Sequence, residues 1–209
     1  MQGTSALGTY FVNRADVAEL HYIVAIGNVQ SIMQHGILCF REAKRLPHQS
    51  VAMAEVQQLR QAKQVPPGTR TVHDYANLYF DARNPMMSKR RAYHAGICVL
   101  RVRHEVLDLA GVMITDQNAA SNYVRFHPSP SGLSVLDSAR IYAAEWTHED
   151  TIEYWRRKSA KCAEVLVPDG VQPSFVSGAY VSGPVGYAAL LAVGFTLSIT
   201  LDPNLFFVI

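Results

Sequence analysis

The sequence predicts an α+β fold for a single domain that spans residues 1–209. The chain has 209 residues, of which 49% are hydrophobic and 17% are charged, a balance typical of one folded globular domain. Short apolar runs of β type and short helical patterns follow each other irregularly, without the strand–helix–strand rhythm of a parallel sheet. We find no internal repeat, so a repeat architecture is excluded.

The N-terminal part of the chain predicts one strand and one helix. Residues 21–24 form a short β-type run. Asn28 is placed to cap a helix whose apolar residues recur at helical spacing, and Gly36 is placed to end it. A short apolar run at residues 37–40 follows the glycine.

The next part predicts a second helix and a second strand. One apolar face recurs over residues 51–64, and Pro66-Pro67-Gly68 ends this helix. Residues 76–80 form a β-type run, and residues 83–87 read as a turn followed by a helix start.

The C-terminal half is predicted to contain most of the remaining strands. They are expected at residues 97–102, 164–167, 174–181 and 195–201. A short apolar segment lies at residues 105–114, and residues 115–146 are rich in Pro, Gly and Ser, which indicates loops. The apolar run at residues 187–199 is broken by Gly194 and too short to cross a bilayer, so we interpret it as core and expect no membrane partner.

Charge and cysteine content exclude several classes of protein. The net charge of +2 is too mild to indicate nucleic-acid binding alone, and the basic runs at residues 89–91 and 156–158 are equally typical of solvated helix faces. Cys39, Cys98 and Cys162 are far apart and odd in number, which argues against a zinc site and a disulfide framework. This usage, and the absence of a signal-peptide pattern before Leu20, predict a cytoplasmic protein.

Three groups of residues occur in a specific order along the chain. The first comprises Leu20-His21-Tyr22-Ile23, Asn28-Val29 and Ile32-Met33-x-x-Gly36-Ile37-Leu38. The second comprises Ser50-Val51-Ala52, Arg60, His73-Asp74-Tyr75 and Leu78-Tyr79-Phe80-x-x-Arg83-Asn84-Pro85-Met86. The third comprises Thr115-Asp116-x-Asn118-Ala119-Ala120, Tyr123-x-Arg125-Phe126 and Ala163-Glu164-Val165-Leu166-Val167. In order and spacing, over roughly residues 20–209, they resemble the DarT family of bacterial DNA ADP-ribosyltransferase toxins.

The resemblance implies a fold and an activity. The fold would be that of ADP-ribosyltransferases, a split and bent mixed β-sheet with an NAD cleft and peripheral helices. The activity would be transfer of ADP-ribose from NAD, a co-substrate, to a base of single-stranded DNA, with release of nicotinamide and without a metal. Family members are toxins that pair with a macrodomain antitoxin, which removes the modification.

The resemblance also assigns roles to residues. Glu164 and Arg60 would be catalytic, Glu164 contacting the nicotinamide ribose. Residues 40–60 match the family's NAD-covering element, and residues 115–164 match the segment that presents the substrate. NAD-binding residues would be His21, Tyr22, Ile23, Asn28, Ser31 and Arg60.

The first group departs from the family at one position. Many relatives have Tyr-His-Ile where this chain has His21-Tyr22-Ile23. Neighbouring residues of a strand face opposite sides, so either the register shifts by one or Tyr22 makes the nucleotide contact instead of His21. The chain also lacks the Trp-Tyr-Tyr ending of some relatives, which leaves the modified base open.

The chemistry of the two catalytic candidates can be argued from their side chains. Breaking the nicotinamide–ribose bond leaves an oxocarbenium-like ribose, which a carboxylate such as Glu164 stabilises; a lone Glu at a strand edge is otherwise an ordinary solvated charge. The guanidinium of Arg60 stays protonated, so we expect it to orient the base or bind pyrophosphate, and proton transfer is the less favoured alternative. A mid-helix arginine is ordinarily a surface residue.

The nucleic-acid candidates each have a second interpretation. Tyr123 and Phe126 would stack on an unpaired base, or would anchor their loop in the core. Phosphate contacts are expected from Arg83, Arg125, Arg156 and Arg157. The histidines His73, His94, His104 and His148 lack metal-ligand spacing, and we interpret them as structural. Alternative functions are an ADP-ribosyltransferase that acts on RNA and a non-catalytic module that binds NAD or nucleic acid.

Overall fold

A computed structural model describes residues 11–208 of the chain. The single-domain prediction includes residues 1–10 and Ile209, which lie outside the described residues. The segment in which no signal-peptide pattern was found, residues 1–20, is therefore described only in its second half. Within the described part, no helix combines the length and the apolar character needed to cross a membrane.

The first half of the chain supplies three of the central strands. In order it forms β1 (Glu19–Ala25), α1 (Val29–His35), β2 (Ile37–Leu38), α2 (Phe40–Ala43), α3 (Ala54–Ala62), β3 (Gln64–Val65), β4 (Arg70–Thr71), β5 (Tyr75–Tyr79), α4 (Pro85–Arg90) and β6 (Ile97–Arg103). These elements confirm the predicted order, although the second helix begins three residues later and ends two residues earlier than its apolar pattern suggested.

The second half completes the sheet and adds three helices. It forms β7 (Met113–Thr115), β8 (Phe126–Pro128), α5 (Ser138–Ile141), α6 (Thr151–Ala160), β9 (Glu164–Pro168), β10 (Gly170–Val171), β11 (Val176–Val181), α7 (Pro184–Ala192) and β12 (Ser198–Leu201). Helix α6 was not predicted, because its sequence lacks an apolar stripe. It begins where the Asp150 side chain accepts a hydrogen bond from the backbone N–H of Glu153.

Eight strands form one mixed sheet in the order β12-β11-β6-β1-β5-β9-β7-β8. All neighbours are antiparallel except β11 and β12, which are parallel. Strand β1 pairs with β6 over seven residues, but it pairs with β5 only at His21 and Tyr79. The sheet is therefore nearly divided between β1 and β5, and this confirms the split α+β sheet that was expected.

The apolar core lies on both faces of the sheet. On one face Leu20, Val24 and Leu100 pack together with Ile32 of α1 and Leu190 of α7. On the opposite face, Ile23, Tyr79 and Val99 pack against Met87 of α4 and Phe206 near the C-terminus.

The apolar run at residues 187–199 is only partly core, so that interpretation was too broad. Leu190 and Phe195 are buried, but Tyr187 and Leu191 of helix α7 are exposed to solvent. A helix at the edge of the sheet buries only one side, and apolar residues on the other side remain in water.

Candidate active site

A cleft of about 460 Å³ opens beside the division of the sheet. Its walls come from strands β1 and β5, from residues 48–53 and helix α3, and from helices α4 and α6. Four cationic side chains line it, namely Arg60, Lys89, Arg90 and Lys158, and no Asp or Glu is found among the lining residues of the described chain. The cleft therefore has the charge that an anionic nucleotide or polynucleotide requires.

Glu164 is the first residue of β9 and has no exposed surface. The strand lies between β5 and β7, where Glu164 is opposite Tyr79 on one side and Thr115 on the other. The Thr115 hydroxyl accepts a hydrogen bond from the Glu164 backbone N–H at 3.1 Å. A central strand with partners on both sides fixes the position of this carboxylate.

Arg60 of helix α3 forms a two-pronged ion pair with Glu164. Its Nη1 and Nη2 donate to the two carboxylate oxygens at 3.0 and 2.9 Å. Arg60 is only 5% exposed, so the expectation of a surface arginine was wrong. The backbone N–H of Ala119 donates to the same carboxylate at 3.0 Å. A buried carboxylate is stable only with such partners, and here three N–H groups satisfy it.

The ion pair sets the charge state of its surroundings. Burial on its own would lower the pKa of Arg60, but the charge and hydrogen bonds of Glu164 outweigh it and raise this pKa above its ordinary value. Burial, together with the negative charge of Glu164, raises the pKa of Tyr79 well above its usual range. Burial raises the pKa of the Cys162 thiol to about 12, so this cleft residue stays protonated and is not a nucleophile at neutral pH.

Residues 48–53 are held against the cleft from both sides. The Asn28 side chain accepts from the backbone N–H of Gln49 at 2.9 Å and donates to the Gln49 carbonyl at 2.8 Å. Arg90 donates to the carbonyls of Val51 and Ala52 at 2.7 and 3.1 Å. Asn28 occupies the predicted N-cap position of helix α1, but its side chain makes no hydrogen bond to the helix. Its amide is used instead to hold the segment that resembles the family's NAD-covering element.

The candidate NAD contacts separate into two sets. Tyr22, Ile23 and Asn28 line the cleft, as does Arg60. His21 does not belong to the lining residues, because its ring nitrogens lie 3.1 Å from the Phe80 carbonyl and 3.3 Å from a Glu19 carboxylate oxygen. The structure therefore favours the alternative in which Tyr22 replaces His21. Ser31, in helix α1, also lies away from the cleft wall.

Some of the candidate nucleic-acid-binding side chains contact other residues of the protein, and the others are exposed to solvent. Arg83 donates to the carbonyls of Ala144 and Asn204 and lies over the ring of Phe207.

Arg157 pairs with Glu153 at 3.0 Å, and Phe126 packs against an apolar cluster that contains Leu166. In contrast, Tyr123 is 84% exposed, and Arg125 and Arg156 are exposed as well. Among the six candidates, only Tyr123, Arg125 and Arg156 can contact a strand of DNA without losing a contact inside the protein.

Two cleft residues were not identified from the sequence. His73, interpreted as structural, lines the cleft, stacks on Phe40 with ring centroids 4.1 Å apart and hydrogen-bonds Gln57 at 3.1 Å. Burial and the nearby charge of Arg60 lower the pKa of His73, so its ring is neutral at pH 7. Trp155 of helix α6 also lines the cleft. The only signal for Trp155 was its place beside the basic run at residues 156–158.

Glu164 is positioned further by the turn that precedes β9. Lys161 is buried, and its ammonium donates to Asp81 and to the Ile141 carbonyl. These contacts join the end of α6 to the loop after β5 and to helix α5. Among the described residues, no group of three or more His, Cys, Asp or Glu side chains is arranged to hold a metal ion.

A family model described as "ssDNA thymidine ADP-ribosyltransferase, DarT" matches residues 21–207. The chain belongs to the DarT family. The match covers most of the chain, and it confirms the resemblance drawn from the three groups of residues. The family description agrees with the predicted NAD-dependent DNA ADP-ribosyltransferase activity.

Two curated proteins of similar sequence are both named as DNA ADP-ribosyl transferases. A fusion protein of DNA ADP-ribosyl transferase and DNA ADP-ribosyl glycohydrolase from Thermosipho africanus is 29% identical over 175 residues, 78% of this chain and 42% of the fusion. A DNA ADP-ribosyl transferase from Thermus aquaticus is 28% identical over 163 residues, 72% of this chain and 68% of that protein. The chain thus spans less than half of the fusion protein and about two thirds of the second relative.

Solved DarT structures share the fold. The Thermosipho africanus DarTG structure in complex with ADP-ribose matches with a TM-score of 0.78 at 27% identity, over 91% of this chain and 51% of that one. The Thermus sp. 2.9 DarT structure in complex with ADP-ribosylated single-stranded DNA matches with a TM-score of 0.82 at 21% identity, over 95% of this chain and all of that one. These matches confirm the predicted ADP-ribosyltransferase-like fold.

Proposed function

We propose that this chain is an NAD-dependent glycosyltransferase that moves ADP-ribose from NAD to a thymidine base of single-stranded DNA and releases nicotinamide. The observation that carries this proposal is the buried Arg60–Glu164 pair beside a cleft lined by cations. The family description supports both the reaction and the acceptor base. The complex of the Thermosipho relative with ADP-ribose supports a cleft for this nucleotide.

The reaction exchanges one bond at C1′ of the ribose for another. The bond to the nicotinamide nitrogen breaks, and nicotinamide leaves with the electron pair. The ribose becomes oxocarbenium-like, a ring nitrogen of the base then bonds to C1′, and the proton of that nitrogen passes to solvent water. Positive charge develops on the sugar, so a fixed carboxylate stabilises the transition state more than the ground state. Glu164 has this role.

Arg60 must release Glu164 before that contact forms. Arg60 lines the cleft, whereas Glu164 lies behind it with no exposed surface and with both oxygens occupied. When NAD is bound, the carboxylate exchanges a guanidinium for the ribose, which becomes positive only as the bond to nicotinamide breaks. The released Arg60 orients the acceptor base or binds pyrophosphate, because its guanidinium remains protonated.

We assign NAD binding to Tyr22, Ile23, Asn28 and Arg60, because all four line the cleft. His21 and Ser31 are left out of this assignment, since neither residue lines the cleft. For DNA binding we retain Tyr123, Arg125 and Arg156, which have exposed side chains. Arg83, Phe126 and Arg157 have internal partners and are assigned to holding the loops around the site.

The biological setting is also part of the proposal. The Thermosipho relative joins a transferase and a glycohydrolase in one chain. This arrangement supports a toxin–antitoxin role for the chain, with a macrodomain glycohydrolase that reverses the modification as its partner. We further propose that the chain acts as one domain in the cytoplasm, where NAD and DNA are both present; its three buried cysteines, all free, suit a reducing compartment.

The test is transfer to a defined oligonucleotide. A single-stranded DNA with one thymidine is incubated with the protein and NAD, and mass spectrometry measures the added ADP-ribosyl group. We expect modification with wild type and none above background with Glu164→Gln, whose folding is checked by circular dichroism. Matched oligonucleotides with guanosine instead of thymidine, and the RNA equivalent, are run in parallel. Near-wild-type transfer by Glu164→Gln, or modification of RNA alone, would overturn the proposal.

A further inference from the structure

Helix α6 forms a part of the cleft wall to which the proposed reaction assigns no role. Trp155, Lys158 and Ser159 line the cleft from this helix. They are three and four residues apart, so they lie on one face of the helix. The Ser159 carbonyl accepts a hydrogen bond from the backbone N–H of Asn118, and the next residue, Ala119, donates to Glu164, so this face lies close to the reacting centre.

Trp155 is held in place but remains open to solvent. The Lys158 ammonium lies 4.4 Å from the centroid of the Trp155 ring, and Tyr154 stands edge-on to that ring with centroids 5.2 Å apart. Even so, Trp155 is 57% exposed, unlike the other aromatic residues of the described cleft wall. A tryptophan ordinarily buries most of its large apolar surface, so a fixed and exposed indole at a cleft indicates a ligand.

The surrounding charge indicates an anionic ligand with an aromatic part. Lys158 lines the cleft together with Lys89 and Arg90 of helix α4. Single-stranded nucleic acids are bound by this combination, in which cations contact phosphates and aromatic rings stack on bases. Trp155 and Lys158 also belong to residues 115–164, the segment expected to present the DNA.

We infer that Trp155 stacks on an unpaired base next to the modified thymidine, and that Lys158 contacts the phosphate between the two nucleotides. The inference rests on the proposed function and adds a second base-binding position to it. The adenine of NAD has the same stacking chemistry. The DNA base is favoured because Trp155 lies at the solvent-exposed rim, whereas the wall formed by Ile23 and Val24 of β1 is buried.

The first experiment separates the two nucleotide ligands by steady-state kinetics. Trp155→Ala is expected to raise the KM for a single-stranded oligonucleotide by about 5- to 150-fold, the equivalent of about 1–3 kcal/mol per stacked base. The KM for NAD is expected to stay within about twofold of wild type, and Trp155→Phe is expected to recover most of the loss. Leu191→Ala is the control, because Leu191 is an exposed apolar residue of helix α7 that does not line the cleft.

An abasic oligonucleotide locates the stacked position. Removing the base beside the thymidine should weaken wild type but leave Trp155→Ala unchanged, since that variant has no ring to stack. An equal loss in both proteins, an increase in the KM for NAD, or an unchanged KM for DNA would each overturn the inference.

A fluorescence titration keeps the inference testable even if no transfer is found. The chain contains two tryptophans, and Trp146 packs edge-on against Phe207, so Trp146→Phe leaves Trp155 as the sole reporter with an aromatic ring retained. Stacking predicts quenching of Trp155 by the oligonucleotide without NAD, and less quenching by the abasic form. Quenching without transfer would refute the proposed reaction but support stacking on Trp155. Transfer without quenching would support the proposed reaction but overturn the stacking inference.

Discussion

The Arg60 guanidinium lies between the cleft and the Glu164 carboxylate and contacts both carboxylate oxygens, at 3.0 and 2.9 Å. The two residues are 104 positions apart in sequence, yet both are almost entirely buried. A pair of opposite charges in this position stabilises each partner, and it also shields the carboxylate to which the proposed reaction assigns the catalytic role. Its removal should therefore change both stability and activity.

Breaking the Arg60–Glu164 pair should destabilise the fold. Glu164→Ala or Arg60→Ala leaves an unpaired buried charge, and each should lower the free energy of unfolding by about 3–5 kcal/mol. The double variant Arg60→Met/Glu164→Leu should recover most of that loss, because no charge then remains buried. Urea unfolding followed by circular dichroism measures all four proteins. Single variants within about 1 kcal/mol of wild type would show that the pair is not held as described.

This relationship also shows where the sequence was informative. The residues around Glu164 and the order of the three groups were enough to predict the fold and the family, and they drew attention to Glu164 itself. They could not show that Arg60 is buried, because that follows from the packing of helix α3 on a strand more than a hundred residues away.

Other features were missed for similar reasons. Helix α6 has a polar sequence and is stabilised by an Asp150 cap and by the Glu153–Arg157 pair, so apolar periodicity did not reveal it. Asn28 has the position of a cap, but its side chain bonds the backbone of Gln49, a partner 21 residues away. Tertiary contacts of this kind decide whether a side chain caps its own helix or bonds a distant segment, and the local sequence alone does not distinguish these roles.

Asn28 should contribute to NAD affinity by holding residues 48–53 on the cleft. Asn28→Ala removes two hydrogen bonds to Gln49, each worth about 0.5–1.5 kcal/mol, and should raise the KM for NAD by about 5- to 20-fold with a smaller change in kcat. Gln30→Ala, an exposed position of helix α1, serves as the control. Limited proteolysis should also cut the variant faster between residues 44 and 53. A KM for NAD equal to that of Gln30→Ala would contradict this role.

Glu19 should stabilise the protein above acidic pH. Burial alone would raise the pKa of its carboxyl, but hydrogen bonds from His21, Tyr180 and Arg101 hold this pKa at about 2, below the ordinary 4.5. Because the folded-state pKa is the lower one, the contribution is complete above about pH 4.5 and disappears as the pH falls towards 2.

The measurement compares Glu19→Gln with wild type across that range of pH. The variant should be less stable by about 1–2 kcal/mol at pH 7, a value reduced for solvent screening, and the difference should shrink between pH 4.5 and 2. Glu149→Gln, at an exposed carboxylate, should show neither effect. A difference in stability that is constant with pH would exclude the ionised Glu19 as its source.

The reaction should require unpaired DNA and should weaken as salt rises. A base inside a duplex is shielded by its stacked neighbours, and its extrusion costs free energy that a single strand does not require.

Each phosphate contact releases counterions, so the logarithm of the affinity should fall with the logarithm of the salt concentration by about 0.7 per contact on single strands. Arg156, exposed on the helix that carries Trp155, is expected to make one of these contacts. Arg156→Ala should therefore weaken binding and reduce the slope by about 0.7, whereas Arg103→Ala, exposed at the end of β6, should leave the slope unchanged. Fluorescence anisotropy of a labelled single-stranded oligonucleotide measures the affinity and its salt slope. Mass spectrometry measures ADP-ribosylation of the oligonucleotide alone and annealed to its complement, and equal modification of the two forms would contradict the requirement for single strands.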